Sequence, residues 1–293
     1  MRVLLLGGTG SIGSAILEDL IANGHSVTAL ARSEKAATIL AENGAIPLSG
    51  DLTQPEEWAP AVSAFDAVIQ AAASFDTDMG AIDKEVLEAI AENTAGRKDP
   101  LRVIYTGGCW LYGETGARIA DEMTPFDPLP SFAWMVENWQ WLCKADGIAP
   151  ILIHPAMVYD ENGGVLSRYI EAAWNGQPIE IWGTADATWP LVHRTDLASA
   201  YRLAMESAPA GQSYCVAAET GVSTGSLADA IATRSDSAIP HKILPLDEAI
   251  ARHGYWAAGP ALKQRMSGAK IRHDLGWRPR FEDAVSMLRG ETV

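Results

Sequence analysis

The chain opens with the sequence RVLLLGGTGSIG at residues 2–13, and this stretch decides the fold. An apolar run typical of a strand, Arg2–Leu6, leads into a glycine-rich turn and then into a segment of helical spacing, Ser14–Ala22. Glycines allow a tight strand-to-helix turn, let the backbone approach a pyrophosphate, and let the helix pack against the strand. The N–H groups at the start of the helix would then face the phosphates. The sequence therefore predicts a phosphate-binding loop that consists of Gly7, Thr9, Gly10, Ser11, Ile12 and Gly13.

Short strand-type runs alternate with helical stretches through the first half of the chain. The runs after the opening one are Ser26–Leu30, Ile46–Ser49, Ala67–Gln70, Arg102–Thr106 and Pro150–His154. Continuous apolar strands that alternate with helices are typical of parallel strands joined by crossover helices. The sequence thus predicts an α/β fold, with a Rossmann-type doubly wound parallel sheet, helices on both faces and a smaller C-terminal lobe.

The pattern loosens after residue 155 into loops with Gly, Pro and Trp between short helices. A strand at Ser213–Ala217 is expected to return to the main sheet, and the chain from Ser223 onward has helical character. We predict a dinucleotide-binding domain at 1–158, completed by 190–220, and a smaller substrate-binding lobe at 159–189 and 221–293.

Composition excludes several classes of partner. The 293 residues carry a formal net charge of −15, which repels nucleic acid and anionic membranes. A local anion site at a helix start is compatible with this charge. The three cysteines lie far apart, without metal-ligand or disulfide spacing, and no apolar run approaches the ~18 residues of a membrane helix. We expect a cytoplasmic protein that acts on a small molecule, with no bound metal and no nucleic-acid or membrane partner.

The glycine spacing G-x-x-G-x-x-G at residues 7–13 is one of several landmarks along the chain. Others are GDL at 50–52, VIQAAA at 68–73, YTGG at 105–108, HPAMVY at 154–159 and LGWRP at 275–279. Together they resemble the extended short-chain dehydrogenase/reductases, in particular the epimerase/dehydratase-like branch, over nearly the whole chain.

That resemblance implies positions for the cofactor. Asp51 and Leu52 would border the adenine. The ribose and nicotinamide side would be bordered by Ala71, Ala72 and Ala73. Further contacts are implied after the fifth and sixth strands, at Thr106, Pro155 and Met157. In the resembled family the helix that covers residues 131–139 builds a dimer interface, and the apolar sequence of this helix is compatible with a homodimer.

The end of the second strand bears on the choice of cofactor. An NAD site usually has a carboxylate there, which accepts a hydrogen bond from the ribose 2′-hydroxyl. This chain has Arg32 and Ser33 instead, and these side chains can bind a 2′-phosphate. The alternatives are a solvated arginine, or Glu34 turned toward the ribose. The sequence favours NADP(H) over NAD(H).

The catalytic positions of the resembled family carry other residues here. Its members use a Tyr-x-x-x-Lys helix and a serine or threonine after the fifth strand, for proton exchange and for orienting a carbonyl. With the family's glutamate placed on Glu137, the tyrosine and lysine positions carry Leu129 and Ala133. The serine position carries Gly108, and no other Tyr-x-x-x-Lys occurs in the chain. The chain is therefore predicted to be an atypical member.

Two hydroxyl side chains are candidates to replace the missing groups. Thr106 ends a central strand, where ligands of such sheets bind, and Tyr112 follows on a loop that lines the cleft in the resembled family. The alternatives are a β-branched strand residue at Thr106 and a packing role for Tyr112. Further candidates, each with a structural alternative, are Cys109, Glu137, His154 and His193.

Ten tryptophans, several of them clustered, suit a pocket for an apolar or aromatic ring. The leading hypothesis is an NADP(H)-dependent oxidoreductase that acts on a small carbonyl, imine or enone with non-standard proton transfer. One alternative is a non-catalytic NAD(P)-binding sensor or regulatory protein. Another is a nucleotide-sugar epimerase or dehydratase, which rests on the resemblance alone.

Overall fold

The computed structural model describes residues 1–73, 78–161, 163–233 and 240–290. Its strands are β1 (Arg2–Leu6), β2 (Ser26–Ala31), β3 (Ile46–Ser49), β4 (Ala67–Gln70), β5 (Leu101–Thr106), β6 (Ile148–Pro155), β7 (Met157–Tyr159), β8 (Ile179–Trp182), β9 (Thr188–His193), β10 (Gln212–Val216), β11 (Glu219–Ser223) and β12 (His241–Leu244). Its α-helices are α1 (Ser11–Ala22), α2 (Glu34–Glu42), α3 (Pro55–Trp58), α4 (Met79–Glu92), α5 (Ala133–Leu142), α6 (Ser167–Trp174), α7 (Arg194–Ser207), α8 (Thr224–Ala232), α9 (Leu246–His253), α10 (Ala269–Leu275) and α11 (Ala284–Arg289). Short 3₁₀ helices cover Ala59–Ala64, Cys109–Tyr112, Pro130–Phe132 and Tyr255–Ala261.

Seven strands form one sheet in the order β10-β6-β5-β4-β1-β2-β3. The pairs from β3 across to β6 are all parallel. The chain runs outward from β1 to β3 and then crosses back to β4, so the strand order reverses between β1 and β4. The carboxyl ends of these two strands therefore flank the crevice where α/β proteins bind ligands. The predicted Rossmann-type parallel sheet is confirmed.

The central strands are apolar along their length because helices cover both faces of the sheet. Val3–Leu6 in β1 and Ala67–Ile69 in β4 are fully buried. Helix α1 buries Ile16 and Leu20 on the face that it turns toward the core. This helix starts earlier than the predicted Ser14, because Gly10 takes the extended backbone of an N-cap, with φ −77° and ψ 168°.

The chain divides into two compact units. The first unit comprises 1–107, 134–153 and 197–213, and the second comprises 108–133, 154–196 and 214–293. Residues 108–133, which the sequence places in the dinucleotide-binding domain, belong to the second unit. Of the predicted substrate-binding lobe, residues 162, 234–239 and 291–293 lie outside the described residues.

Five short strands in the second half of the chain are absent from the sequence prediction. β11, β9 and β7 form a three-stranded sheet, and β12 pairs with β8 in a two-stranded one. The expectation of helical structure from Ser223 onward is wrong at His241–Leu244, which pairs in parallel with Ile179–Trp182. Strands of so few residues carry little periodicity of their own, so tertiary pairing determines them.

No helix among the described residues is long and apolar enough to cross a membrane. Within the same ranges, no group of three His, Cys, Asp or Glu side chains is arranged to hold a metal ion. The three cysteines are free, with Cys109 and Cys215 buried and Cys143 exposed.

Candidate functional site

The glycine loop after β1 presents backbone N–H groups at the start of α1 that have no hydrogen-bond partner within the described ranges. The N–H of Gly10 donates to the carbonyl of Gly7 at 2.9 Å, which closes the turn. No side chain caps the helix at Gly10, and its first turn carries no acidic residue. Thr9, Gly10 and Ser11 are exposed, so the first-turn N–H groups face outward. An unscreened helix start of this kind binds anions such as phosphates.

Two of the loop's glycines are required by close backbone approach. A Cβ on Gly13 would lie 2.1 Å from the carbonyl oxygen of Gly7. Gly7 has a φ of +89°, and a Cβ there would lie 2.7 Å from Cα of Ala72 and 2.8 Å from the carbonyl of Ala71. The loop thus packs on the segment after β4 as well as on its own helix. The structure brings the predicted phosphate loop and the predicted nicotinamide-side residues Ala71 and Ala72 together; Ala73, the next residue, is exposed.

The tip of β2 carries a cationic side chain in open surroundings. Arg32 follows the last strand residue and is exposed, and within the described ranges its guanidinium forms no hydrogen bond or ion pair. Ser33 is the N-cap of α2, with its hydroxyl oxygen accepting from the N–H of Ala36 at 3.2 Å. Its hydroxyl proton has no acceptor among the described residues, so it can donate to another group. Glu34 starts α2 on the exposed side.

The loop after β3 holds the residues expected beside the adenine. Oδ1 of Asp51 accepts from the backbone N–H and the hydroxyl of Thr53, both at 2.9 Å. These two hydrogen bonds lower the pKa of Asp51, and the charge of Arg32 adds to the effect. The indole N–H of Trp58 donates to the carbonyl of Asp51 at 2.9 Å, which fixes the loop. Leu52 is half-buried.

Thr106 sits in a directed hydrogen-bond relay within the first unit. Its hydroxyl donates to the backbone carbonyl of Gln70 at 2.6 Å. A threonine hydroxyl has one proton, so the 2.8 Å contact with the hydroxyl of Tyr201 must be donated by the tyrosine. The proton of Thr106 is therefore already engaged, and it can reach a substrate only by breaking the bond to Gln70.

Tyr112 lies in the second unit and is 2% exposed. Its hydroxyl contacts Sγ of Cys215 at 3.3 Å, and its ring lies 5.5 Å from that of Phe126. Burial, followed by the nearby Cys215, raises the pKa of Tyr112. These surroundings favour the packing alternative. Pro155 and Met157, also predicted as cofactor contacts, are buried; Pro155 ends β6 and Met157 starts β7 in the second unit.

We expect Tyr112→Phe to leave turnover unchanged within about twofold and the unfolding free energy within about 1 kcal/mol, because the hydroxyl has one weak sulfur partner. Steady-state kinetics and thermal unfolding of the variant measure both quantities. A fall in turnover by orders of magnitude with normal stability would return the hydroxyl to the role of proton donor.

The family's catalytic positions are structurally ordinary here. Leu129 and Ala133 are half-buried at the entry to α5, and Glu137 is exposed on that helix. Gly108 has an extended φ of 177°, and a Cβ added there would meet open space within 4 Å. Nothing in the packing demands glycine at this position, so the absence of a serine is not imposed by the fold.

Two further candidates for catalysis, Cys109 and His193, are buried. Burial raises the pKa of the Cys109 thiol to about 12, so the reactive thiolate is disfavoured. His193 is 3% exposed, and its Nδ1 accepts from the N–H of Thr195 at 3.3 Å. The other ring nitrogen, Nε2, lies 3.5 Å from Glu161. These surroundings favour a structural role, and not a catalytic one, for both Cys109 and His193.

His154 is a fully buried histidine in the second unit. Its ring lies 5.1 Å from that of Tyr112 and 5.6 Å from that of Phe126. Neither ring nitrogen has a hydrogen-bond partner in the described part of the chain. Burial lowers the pKa of His154 to about 3, and the backbone at Gly108 counteracts only part of this effect. The imidazole is therefore neutral at physiological pH.

We expect His154 to make the protein sensitive to acid. Its folded pKa of about 3 is below the unfolded value of 6.5, so its contribution to stability is complete above pH 6.5. Between those two pH values the unfolded chain binds more protons than the folded protein. As the pH falls through this range, the free energy of unfolding should therefore decrease by up to about 1.4 kcal/mol per pH unit. His154→Phe should flatten this slope in urea unfolding at several pH values, whereas the exposed control His273→Gln should keep it. An unchanged slope in His154→Phe would contradict the assignment.

Sequence reasoning missed two polar residues that hold the carboxyl ends of β4 and β5. Tyr201, in α7, is fully buried and supplies the donor to Thr106. Asp83, in α4, is 2% exposed and accepts from Gln70. A signal for Asp83 exists: it lies on the apolar stripe of its helix, four residues after Met79 and three before Val86.

Comparison with known proteins identifies a matching protein family and several relatives of this chain. The model of the NAD dependent epimerase/dehydratase family matches residues 3–217. An uncharacterized protein of Schizosaccharomyces pombe is 28% identical over 296 residues, which cover 99% of each chain. A 4-hydroxy-2-methyl-3-oxo-4-farnesyl-3,4-dihydroquinoline-1-oxide ketoreductase of Stigmatella aurantiaca is 26% identical over 230 residues, which cover 73% of this chain and 67% of the relative.

Solved structures share the fold. The human epimerase family protein SDR39U1 (isoform 2), crystallised with NADPH, has a TM-score of 0.81 at 20% identity, covering 99% of this chain and 98% of the human one. The matched region covers the glycine loop, β1 from Val3 onward, and every strand from β2 to β10. The loop geometry fits a pyridine nucleotide, the cofactor named in the family's description. The chain belongs to the NAD-dependent epimerase/dehydratase family.

Proposed function

We propose that the protein is an NADP(H)-dependent oxidoreductase that acts on a small carbonyl, imine or enone. The observation that carries the proposal is the pairing of an uncapped, glycine-built helix start with an open arginine at the next strand tip. The first feature suits the pyrophosphate of any nicotinamide dinucleotide. The second suits the 2′-phosphate that distinguishes NADP(H) from NAD(H).

Three features of the β2 tip support NADP(H). Arg32 presents a planar guanidinium that can bind a phosphate through two parallel hydrogen bonds. Ser33 keeps its hydroxyl proton free while its oxygen caps α2. The strand tip itself carries no carboxylate, and Asp51 is held by Thr53. The human neighbour crystallised with NADPH is consistent with this choice.

The chemistry rests on hydride transfer, which a reduced nicotinamide supplies when bound. The chain's contribution would be to hold the substrate close and to polarise it, which can account for much of a rate enhancement without a tyrosine. The S. aurantiaca relative, by its name, reduces a ketone, so carbonyl reduction is a reaction of related chains.

The test is a substrate panel. Oxidation of NADPH, followed by its absorbance, is measured with small aldehydes, ketones, cyclic imines and enones, each also with NADH. We expect at least one carbonyl, imine or enone to accelerate NADPH oxidation well above the rate without substrate. Tight NADPH binding with no acceleration across the panel would contradict the oxidoreductase assignment.

A second function, a non-catalytic NAD(P)-binding sensor or regulatory protein, is favoured by one specific observation. The hydroxyl proton of Thr106 is donated to Gln70, and the hydroxyl of Tyr112 is buried against Cys215. The proton of Thr106 is thus engaged, and the hydroxyl of Tyr112 belongs to a residue that is 2% exposed. For this function we expect cofactor binding to change the protein's association with a partner, as measured by size-exclusion chromatography in a cell extract with and without NADPH.

A further inference from the structure

A buried carboxylate organises the carboxyl end of β4. From the part of the chain that the structure describes, Asp83 of α4 accepts three hydrogen bonds, one at Oδ1 from Nε2 of Gln70 at 2.8 Å and two at Oδ2. The donors to Oδ2 are the hydroxyl of Tyr105 at 2.6 Å and Nδ2 of Asn138 at 2.8 Å. All three partners donate, which is the arrangement that an ionised, acceptor-only carboxylate requires. The three partners come from β4, β5 and α5.

This carboxylate fixes which way the amide of Gln70 faces. Because Oδ1 of Asp83 only accepts, Gln70 must turn its NH₂ group toward Asp83. Its Oε1 then faces the next peptide groups and accepts from the backbone N–H of Ala72 at 3.3 Å. The backbone carbonyl of Gln70 is held separately by Thr106. Side chain and main chain of Gln70 are thus both pinned at the end of the strand.

The segment held by Gln70 is the one on which the phosphate loop packs. Gly7 lies so close to Ala71 and Ala72 that a Cβ on it would be 2.7 to 2.8 Å from their backbone atoms. The carbonyl of Gly7 in turn accepts a hydrogen bond from the N–H of Gly10, and a Cβ on Gly13 would lie 2.1 Å from its oxygen. A shift of the Ala72 peptide would therefore be transmitted directly to the turn that presents the first N–H groups of α1.

We propose that Asp83 is a positioning residue of the cofactor site, which acts through Gln70 on the Ala72 peptide and so on the Gly7 turn. The proposal rests on the cofactor binding proposed above. It assigns to α4 and Gln70 a role in cofactor affinity, beyond packing the helix against the sheet.

Two substitutions separate positioning from packing. In Asp83→Asn, the new amide can satisfy Tyr105 and Asn138 with its oxygen, which leaves its NH₂ facing Gln70. The amide of Gln70 must then flip, and its own NH₂ opposes the N–H of Ala72. In the matched control Tyr105→Phe, one donor to Asp83 is lost, but the orientation of Gln70 stays as it is. Both changes disturb the same buried cluster.

The affinities for NADPH and the melting temperatures of both variants provide the first readout. We expect Asp83→Asn to weaken NADPH binding by about tenfold, the effect of one lost oriented hydrogen bond. Tyr105→Phe should lower Tm about as much as Asp83→Asn does, while it keeps the NADPH affinity within about twofold of that of the wild type. Loss of affinity in both variants in proportion to Tm, or in neither, would overturn the positioning role.

A double substitution offers a rescue that a packing role would not give. In Asp83→Asn with Gln70→Glu, the Asn amide can donate to one oxygen of the new carboxylate, whose other oxygen accepts from Ala72. NADPH affinity should return to within about threefold of the wild type, whereas Gln70→Glu alone should weaken it because two carboxylates then face each other. A double variant no better than Asp83→Asn would contradict the proposal.

Amide hydrogen exchange without cofactor keeps this test distinct from the proposed function. The N–H of Ala72 should exchange faster in Asp83→Asn than in the wild type or in Tyr105→Phe. If the wild type bound no nicotinamide cofactor, the proposed function would fail, and exchange at Ala72 would still decide whether Asp83 positions this segment. Unchanged exchange at Ala72 would reject the proposal.

Discussion

Gly13→Ala should abolish measurable cofactor binding, with a loss of at least about 100-fold in affinity for NADPH and NADH alike. The added Cβ would lie 2.1 Å from the Gly7 carbonyl oxygen and 2.7 Å from its carbonyl carbon. Both neighbours are backbone atoms, so the turn must open or α1 must move away from β1. Either movement displaces the first-turn N–H groups that would hold the pyrophosphate. We also expect the variant to unfold more easily by about 1–3 kcal/mol, the usual cost of overpacking.

The control for Gly13→Ala is Gly108→Ala, where the added Cβ meets open space and φ is extended. It makes the same chemical change and should keep both cofactor affinity and Tm close to those of the wild type. Isothermal titration with each cofactor and thermal unfolding measure the two effects. A Gly13→Ala protein that binds NADPH as the wild type does would remove the loop from the cofactor site.

Arg32→Ala should convert a preference for NADPH into indifference between NADPH and NADH. Loss of a charge-assisted pair with the 2′-phosphate costs about 1.5–3 kcal/mol, which corresponds to about 10- to 100-fold in NADPH affinity. NADH has no phosphate at this position, so its affinity should change little. The guanidinium has no hydrogen-bond or ion-pair partner in the described ranges, so its removal should not affect stability.

Lys35→Ala is the matched control for Arg32→Ala, since it removes one exposed positive charge three residues further along, inside α2. A general electrostatic attraction for the more anionic cofactor would be weakened equally by both substitutions, and both effects would fade with added salt. A phosphate clamp predicts a large effect at Arg32 alone. Equal losses for NADPH and NADH, or no loss, would reject the clamp.

Sequence reasoning was most effective where local pattern and chemistry coincide. The opening strand, the glycine turn and the helix after it are contiguous, and the continuous apolar runs predict strands buried on both faces. β1, β3 and β4 have the predicted bounds, and the remaining predicted strands differ by one or two residues at one or both ends. The first helix begins three residues early because capping by Gly10 depends on backbone conformation, which composition does not show.

Features that depend on distant residues were not predictable in this way. Whether Thr106 has a proton to give depends on the backbone carbonyl of Gln70, which lies 36 residues earlier in the chain. The orientation of the Gln70 amide depends on its hydrogen bond to Asp83. The sequence shows that Asp83 is a charged residue on the apolar stripe of its helix, but it does not show which residue Asp83 contacts. Short strands such as β12 depend on pairing with β8 more than on their own composition.

The most direct test of cofactor binding is a titration of the purified protein with NADPH and with NADH. Trp58 is buried beside the predicted adenine loop, so intrinsic tryptophan fluorescence and energy transfer to the reduced nicotinamide can both report binding. We predict saturable NADPH binding at micromolar concentrations, about tenfold or more tighter than NADH binding. If neither cofactor gave a saturable signal, and the wild type did not differ from Gly13→Ala at any concentration tested, the assignment of this loop as a nicotinamide dinucleotide site would be contradicted.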